Sequence, residues 1–143
     1  MNTPRLKPIQ VGPVSIDTPV LLAPMSGVSD MPFRRLVKGF GAGLVISEMI
    51  ASQAMIHASR QSMKMASNCA DEHPMAVQLA GKDPEIMAEA AKLNEDRGAA
   101  IIDINMGCPV KKVVNGWSGS ALMKDLDHAG RILDATVKAV KLP

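Results

Sequence analysis

An α/β fold of parallel strands, amounting to about half of a (β/α)8 barrel of the TIM type, is predicted by three features of this 143-residue sequence. Short apolar runs at residues 44–46, 75–79 and 101–104 alternate with stretches of helical periodicity, the pattern of a parallel sheet covered by helices. Polar residues share one face at the ends of two of those runs: Gln78 lies opposite Val77 and Leu79, and Asp103 and Asn105 lie opposite Ile102 and Ile104. The third feature is length. A complete barrel takes roughly 250 residues, with a practical floor near 200, so four β/α units are half of one. A doubly wound sheet shares the alternation, but the ending VKAVKLP, a helix followed by Leu-Pro, reads as the approach to a further barrel strand. The expectation is therefore that residues 1–143 are the N-terminal part of one barrel domain whose C-terminal half is absent.

The elements follow in order. In IQVGPVSIDTPVLLAPM, Gly-Pro and Asp-Thr-Pro break short apolar runs, predicting a β-hairpin and then a buried strand over 20–23. Over 31–40, Phe33, Leu36, Val37 and Phe40 recur at helical spacing behind Asp30 as N-cap and Pro32 in the first turn. This predicts an amphipathic helix with that stripe facing the core. A strand over 44–46, a helix over about 51–65, a strand over 75–79 and a helix opened by Asp83 and Pro84 and running to about Arg97 come next. A strand over 101–104 and a last helix over about 127–140 complete the series.

Composition excludes several classes. Apolar content of 47% with 21% charged residues is that of an ordinary globular domain. Sixteen basic residues against fourteen acidic ones are no nucleic-acid signature. Two cysteines without a CxxC pair give neither a disulfide framework nor zinc-ligand spacing, so no metal is expected, and Cys69, in a polar loop, is read as incidental. The N-terminus lacks an apolar signal region and no run approaches the ~18 residues of a membrane span. A cytoplasmic protein without a membrane partner is the expectation. His57, His73 and His128 have no partner at ligand spacing, and the eleven methionines read as core or surface filler.

Three places carry chemistry. Pro24, Met25 and Ser26 follow the first barrel strand, where small and proline-constrained residues let the backbone approach a flat ligand; an ordinary strand-to-helix turn accounts for them equally. The Gln78 amide offers a donor and an acceptor to a planar heterocycle, or else bonds neighbouring backbone in the core. In DINMGCPVKKVVNGWSGSALM, Cys108 stands after a glycine and before a proline, three residues past Asn105. A thiol, with an ordinary pKa of about 8.5, is mostly protonated at neutral pH and can serve as a general acid; it can equally be a small buried apolar group. Lys111 and Lys112 can meet phosphates, and the segment from Asn115 to Ser120 has the glycine content of a lid. Neither GxxxxGK[ST] nor GxGxxG spacing is present.

Taken together, LLAPMSGVSDMPFRR, LVISEM, AVQLAG and DINMGCPVKKVVNGWSGSALM resemble the tRNA-dihydrouridine synthase family, most closely its bacterial B-type branch, along nearly the whole chain. The resemblance implies a TIM barrel that binds FMN, is reduced by NADPH and reduces uridine in tRNA to 5,6-dihydrouridine. It implies Cys108 as proton donor to C5 of uracil and Pro24, Met25, Ser26 and Gln78 as flavin contacts. It implies, too, that Asn105 helps position the target base or the flavin. It also implies that the flavin-binding lysine of a fifth strand, the phosphate loops and a helical tRNA-binding domain are not in this chain. A half-barrel with open edge strands is expected to self-associate and to hold FMN weakly or not at all. Two alternatives stand beside this reading: another FMN barrel acting on a pyrimidine, of the dihydroorotate dehydrogenase kind, and a non-catalytic half-barrel remnant that serves as an interaction module.

Overall fold

The structure is a computed structural model, and it describes residues 6–57, 60–67 and 70–143. Cys69 lies outside the described residues. The chain opens with an antiparallel hairpin, β1 (Ile9–Val11) and β2 (Val14–Ile16). A parallel sheet follows: β3 (Leu21–Leu22), β4 (Leu44–Ile46), β5 (Ile50–Ala51), β6 (Met75–Ala80) and β7 (Ile101–Ile104). Between the strands run α1 (Met31–Gly39), α2 (Ser52–Ile56), α3 (Arg60–Met65) and α4 (Pro84–Glu95). After β7 come the short α5 (Lys111–Val114), a 3-10 turn (Gly119–Lys124) and α6 (Leu126–Ala139).

With β4 and β5, which both pair with β6, counted as one interrupted strand, the strands neighbour one another in chain order, and every pairing in this sheet is parallel. Sequential parallel order is that of a barrel wall rather than a doubly wound sheet. Side-chain alternation divides the wall into two faces. Val45, Val77, Leu79, Ile102 and Ile104 pack against Met87, Ala90 and Ala91 of α4 and Ala129 and Ile132 of α6. Leu44, Ile46, Ala76 and Ile101 face the other way and are covered by Val11, Val14 and Ile16 of the hairpin. The hairpin thus covers the inner face at the amino ends of the strands. Gly43 makes this approach possible, because a Cβ there would run into the Thr18 carbonyl and the Ile16 side chain.

β4 and β5 are two pieces of one interrupted strand. Ile46 pairs with Ala76 and Ile50 with Leu79, so residues 47–49 span the gap that 77–78 span on β6, which is a one-residue bulge. Ser47 repairs the ladder across it: its N–H donates to the Ala76 carbonyl, and its Oγ accepts from the Gln78 N–H at 3.0 Å.

Two expectations change here. The helix predicted over 51–65 is divided into β5, α2 and α3, since the bulge delays its start and His57 caps α2. α1 forms where predicted, with the Asp30 carboxylate accepting from the Phe33 N–H, but only part of its apolar stripe reaches the core, where Val37 packs. Leu36 is 57% and Phe40 85% exposed, and the buried residue of the helix is Arg34. Its Nε donates to the Glu72 carboxylate at 2.6 Å, with both side chains fully buried, and its other nitrogens donate to the carbonyls of Ser29 and Ser67. A buried ion pair, together with the Val37 contact, seats this helix.

At the carboxyl end, the Lys141 N–H donates to Glu95 on α4. That bond, and after it the Lys92 ammonium, holds the Glu95 carboxyl below the ordinary glutamate range. The segment so fixed brings the Pro143 carbonyl within 3.0 Å of the Ile102 N–H, a hydrogen bond on the outer edge of β7.

Candidate functional site

The inner face turns polar at the carboxyl ends of the strands. Gln78 and Asp103 are register partners on β6 and β7, and the Gln78 Nε2 donates to Asp103 Oδ2 at 2.6 Å. Gln78 Oε1 accepts from Asn105 Nδ2 at 3.0 Å. Asn105 Oδ1 in turn accepts from the N–H groups of Gly107 and Cys108, at 3.2 and 2.9 Å. The strand parity that placed Gln78, Asp103 and Asn105 on one face is therefore realised as a chain of hydrogen bonds ending at the backbone of Cys108. The Gln78 amide bonds these side chains rather than neighbouring backbone, and among the described residues one of its Nε2 hydrogens and one Oε1 lone pair have no partner.

Cys108 is a free, partly exposed cysteine just beyond this network. Its carbonyl accepts from the Ser120 N–H at 3.0 Å, so the loop returns to its own starting point. Gly119 sits in that closure at φ +61°, and a Cβ there would lie 2.6 Å from the Cys108 carbonyl oxygen and 2.8 Å from a Val113 methyl. Gly119→Ala is expected to displace Cys108 and to destabilise the fold by about 1–3 kcal/mol, from left-handed backbone strain and the contact together. Chemical denaturation measures the loss, and the reactivity of Cys108 with a thiol reagent reports the displacement. The glycine-rich segment expected as a lid is folded as this turn: α5, a reversal at Trp117, and the 3-10 turn with Ala121 and Leu122 buried.

Pro24, Met25 and Ser26 lie in the turn after β3, on the same carboxyl rim. The Met25 N–H donates to Ser29 Oγ at 2.9 Å, and the Ser26 N–H has no protein acceptor among the described residues. Sequence reasoning missed the two residues that tie this turn to the sheet. Glu48, carried outward by the bulge, accepts from the Gly27 N–H, and Ser47 bridges to Gln78. The signal that could have found them is the one that found Asp103: polar residues directly after a buried apolar strand. His128 bonds the Lys82 carbonyl and Arg131 on the helix side. Among the described residues no group of three His, Cys, Asp or Glu side chains is placed to hold a metal, and no helix is long and apolar enough to cross a membrane.

Comparison with known proteins joins this geometry to a family. The dihydrouridine synthase family model matches residues 21–143. The chain belongs to the dihydrouridine synthase family. It is 61% identical over 136 residues to a probable tRNA-dihydrouridine synthase of Rickettsia bellii, covering 94% of this chain and 42% of the relative. It is 51% identical over 135 residues to tRNA-dihydrouridine synthase B of Xanthomonas campestris, with 94% and 41% covered. A probable tRNA-dihydrouridine synthase of Rhizobium leguminosarum is 55% identical over 130 residues, with 91% and 41% covered. The chain thus spans about two-fifths of the length of these relatives. Membership decides between the two flavin-barrel families considered from sequence, against the dihydroorotate dehydrogenase kind.

Proposed function

We propose that the chain provides the proton donor and the ring-facing wall of an FMN-dependent, NADPH-consuming enzyme that reduces uridine in tRNA to 5,6-dihydrouridine. The observation that carries the reading is the hydrogen-bonded line from Gln78 through Asn105 to the backbone of Cys108, inside a family-matched barrel wall. The B-type branch is favoured by 51% identity to the Xanthomonas protein of that name.

The donor set fits a flavin ring. Pro24, Met25 and Ser26 offer an exposed edge of backbone with the Ser26 N–H uncommitted, and Gln78 retains one donor and one acceptor for a pyrimidine edge. Bound FMN, reduced by NADPH, supplies hydride to C6 of the uracil. Cys108 Sγ holds the proton for C5 and gives it up as the double bond is reduced; partial exposure lets solvent reprotonate the thiolate. Asn105 positions that thiol by fixing two consecutive backbone N–H groups of its loop. The target uridine must leave its stack in the folded tRNA to reach the site.

Protein containing this chain, supplied with FMN and NADPH, is expected to convert uridine to dihydrouridine in an unmodified tRNA transcript, read as a gain of two hydrogens by nucleoside mass spectrometry. Protein that retains FMN and oxidises NADPH yet yields no dihydrouridine would overturn the reading.

A further inference from the structure

We infer that the turn following Cys108 is a clamp for single-stranded RNA, in which Trp117 stacks on an unpaired base and Lys111 and Lys112 neutralise neighbouring phosphates. The inference rests on the uridine-in-tRNA reading for its choice of partner, but three observations of its own carry it.

The first is where the tryptophan stands. α5 ends with the Trp117 N–H donating to the Val114 carbonyl at 3.0 Å and the Ser118 N–H to the Val113 carbonyl at 3.3 Å. These are the paired bonds of a Schellman end, whose left-handed residue is normally glycine. Here that residue is Trp117, at φ +56°, although Gly116 is adjacent. The ring is 58% exposed, so the fold of the chain gains little packing in return for the unfavourable backbone. Large aromatics that are exposed at a conformational cost are explained by a partner that covers them.

The second is charge. From Asn105 to Lys124 the sequence holds three lysines and no acidic residue. Lys82, Lys111 and Lys112 have no carboxylate partner among the described residues, whereas the described ion pairs of Arg34, Arg35, Lys92 and Lys138 all involve helices on the other side of the sheet or at its flank. The third is space. Gly116 and Ser118, on either side of Trp117, line a cleft of about 350 Å3 together with Gln53, Gly81, Lys82 and Asp83, whose carboxylate is engaged as the N-cap of α4, at the carboxyl ends of β5 and β6. An exposed aromatic residue in a turn whose helix opens with two lysines lacking a carboxylate partner among the described residues, with its two neighbours lining a cleft at the rim of the Cys108 loop, is the combination that binds a single strand: bases stack and phosphates are neutralised. An acidic protein would use the lysines and leave the ring unexplained.

Trp117 is the chain's only tryptophan and there is no tyrosine, so its emission reports this turn alone. Titration with unmodified tRNA or short oligouridylate is expected to quench it saturably, with weaker quenching by duplex RNA and little by polyglutamate. Trp117→Leu is expected to weaken filter-retained binding about tenfold. The double variant Lys111→Ala, Lys112→Ala is expected to flatten the dependence of log Kd on log salt by about 1.4. Trp117→Gly supplies the control for folding: it should raise the melting temperature while losing the RNA affinity. Unchanged emission at tRNA concentrations that saturate retention would place the RNA elsewhere and overturn the clamp while leaving the uridine reading intact. Equal quenching by polyglutamate would reduce the turn to a general anion patch. Absence of RNA retention would also overturn the clamp, and the dihydrouridine assay then decides the functional reading separately.

Discussion

Cys108→Ala, in protein containing this chain and active in that assay, is expected to lower dihydrouridine formation by about 100-fold or more while reduction of bound FMN by NADPH, followed as bleaching of the flavin absorbance in the absence of tRNA, keeps its original rate. The magnitude is that of losing a positioned general acid. The structure makes the result interpretable, because the interactions that hold this residue are made by its backbone. The Cys108 N–H donates to Asn105, and its carbonyl accepts from Ser120. Neither requires the thiol. Truncation to alanine therefore removes the proton and leaves the loop closure that Gly119 permits. The melting temperature should stay within about a degree of the parent, since no cavity of consequence opens at a partly exposed site. If product formation and flavin reduction by NADPH fall together, the thiol is a structural element and the proton comes from elsewhere. If neither falls, Cys108 has no part in the reaction.

How much of this was legible beforehand depended on how local the cause was. β4 and β7 are read to the residue, because each is a short, mainly apolar run preceded by glycine or small residues and followed by polar ones. The parity of Gln78, Asp103 and Asn105 predicts their shared face, and register places Gln78 opposite Asp103 so that the two bond directly. Period-2 alternation cannot see an inserted residue, however. The bulge at 47–49 shifts the phase of the strand, hides β5, and turns Glu48 toward the Gly27 backbone. Likewise the spacing of Phe33, Leu36, Val37 and Phe40 marks an apolar face on α1 correctly as a pattern, yet burial is decided by a partner 38 residues away in sequence. Short elements such as α5 have too few residues for any periodicity to register. Their ends are set by hydrogen bonds to Val113, Val114 and Cys108 rather than by composition.

That distant partner gives the largest stability effect expected in the chain. Arg34→Met should destabilise the fold by about 3–5 kcal/mol, measured as a lowered urea midpoint at unchanged slope, because it leaves the Glu72 carboxylate buried without its cation. Glu72 has little to fall back on: its Oε1 has no hydrogen-bond partner among the described residues, so the guanidinium satisfies the one engaged oxygen. Glu72→Gln should cost less, as it removes the buried negative charge and keeps an acceptor for Arg34. Replacing both, Arg34→Met with Glu72→Met, should recover most of the loss, since two apolar side chains of similar volume avoid desolvating either charge. Recovery in the double variant separates the ion-pair account from simple loss of packing, for which the two losses would add. The same substitution reaches the candidate site through the backbone. Arg34 donates to the Ser29 carbonyl at 2.9 Å, and the Ser29 hydroxyl holds the Met25 N–H. Losing Arg34 should therefore speed amide exchange at Met25 and Ser29 more than at Val77 or Leu79 in the sheet, under conditions where the protein is still folded. A loss below about 1 kcal/mol for Arg34→Met, or uniform exchange across turn and sheet, would show that the buried pair neither anchors α1 nor steadies the turn that Pro24, Met25 and Ser26 form.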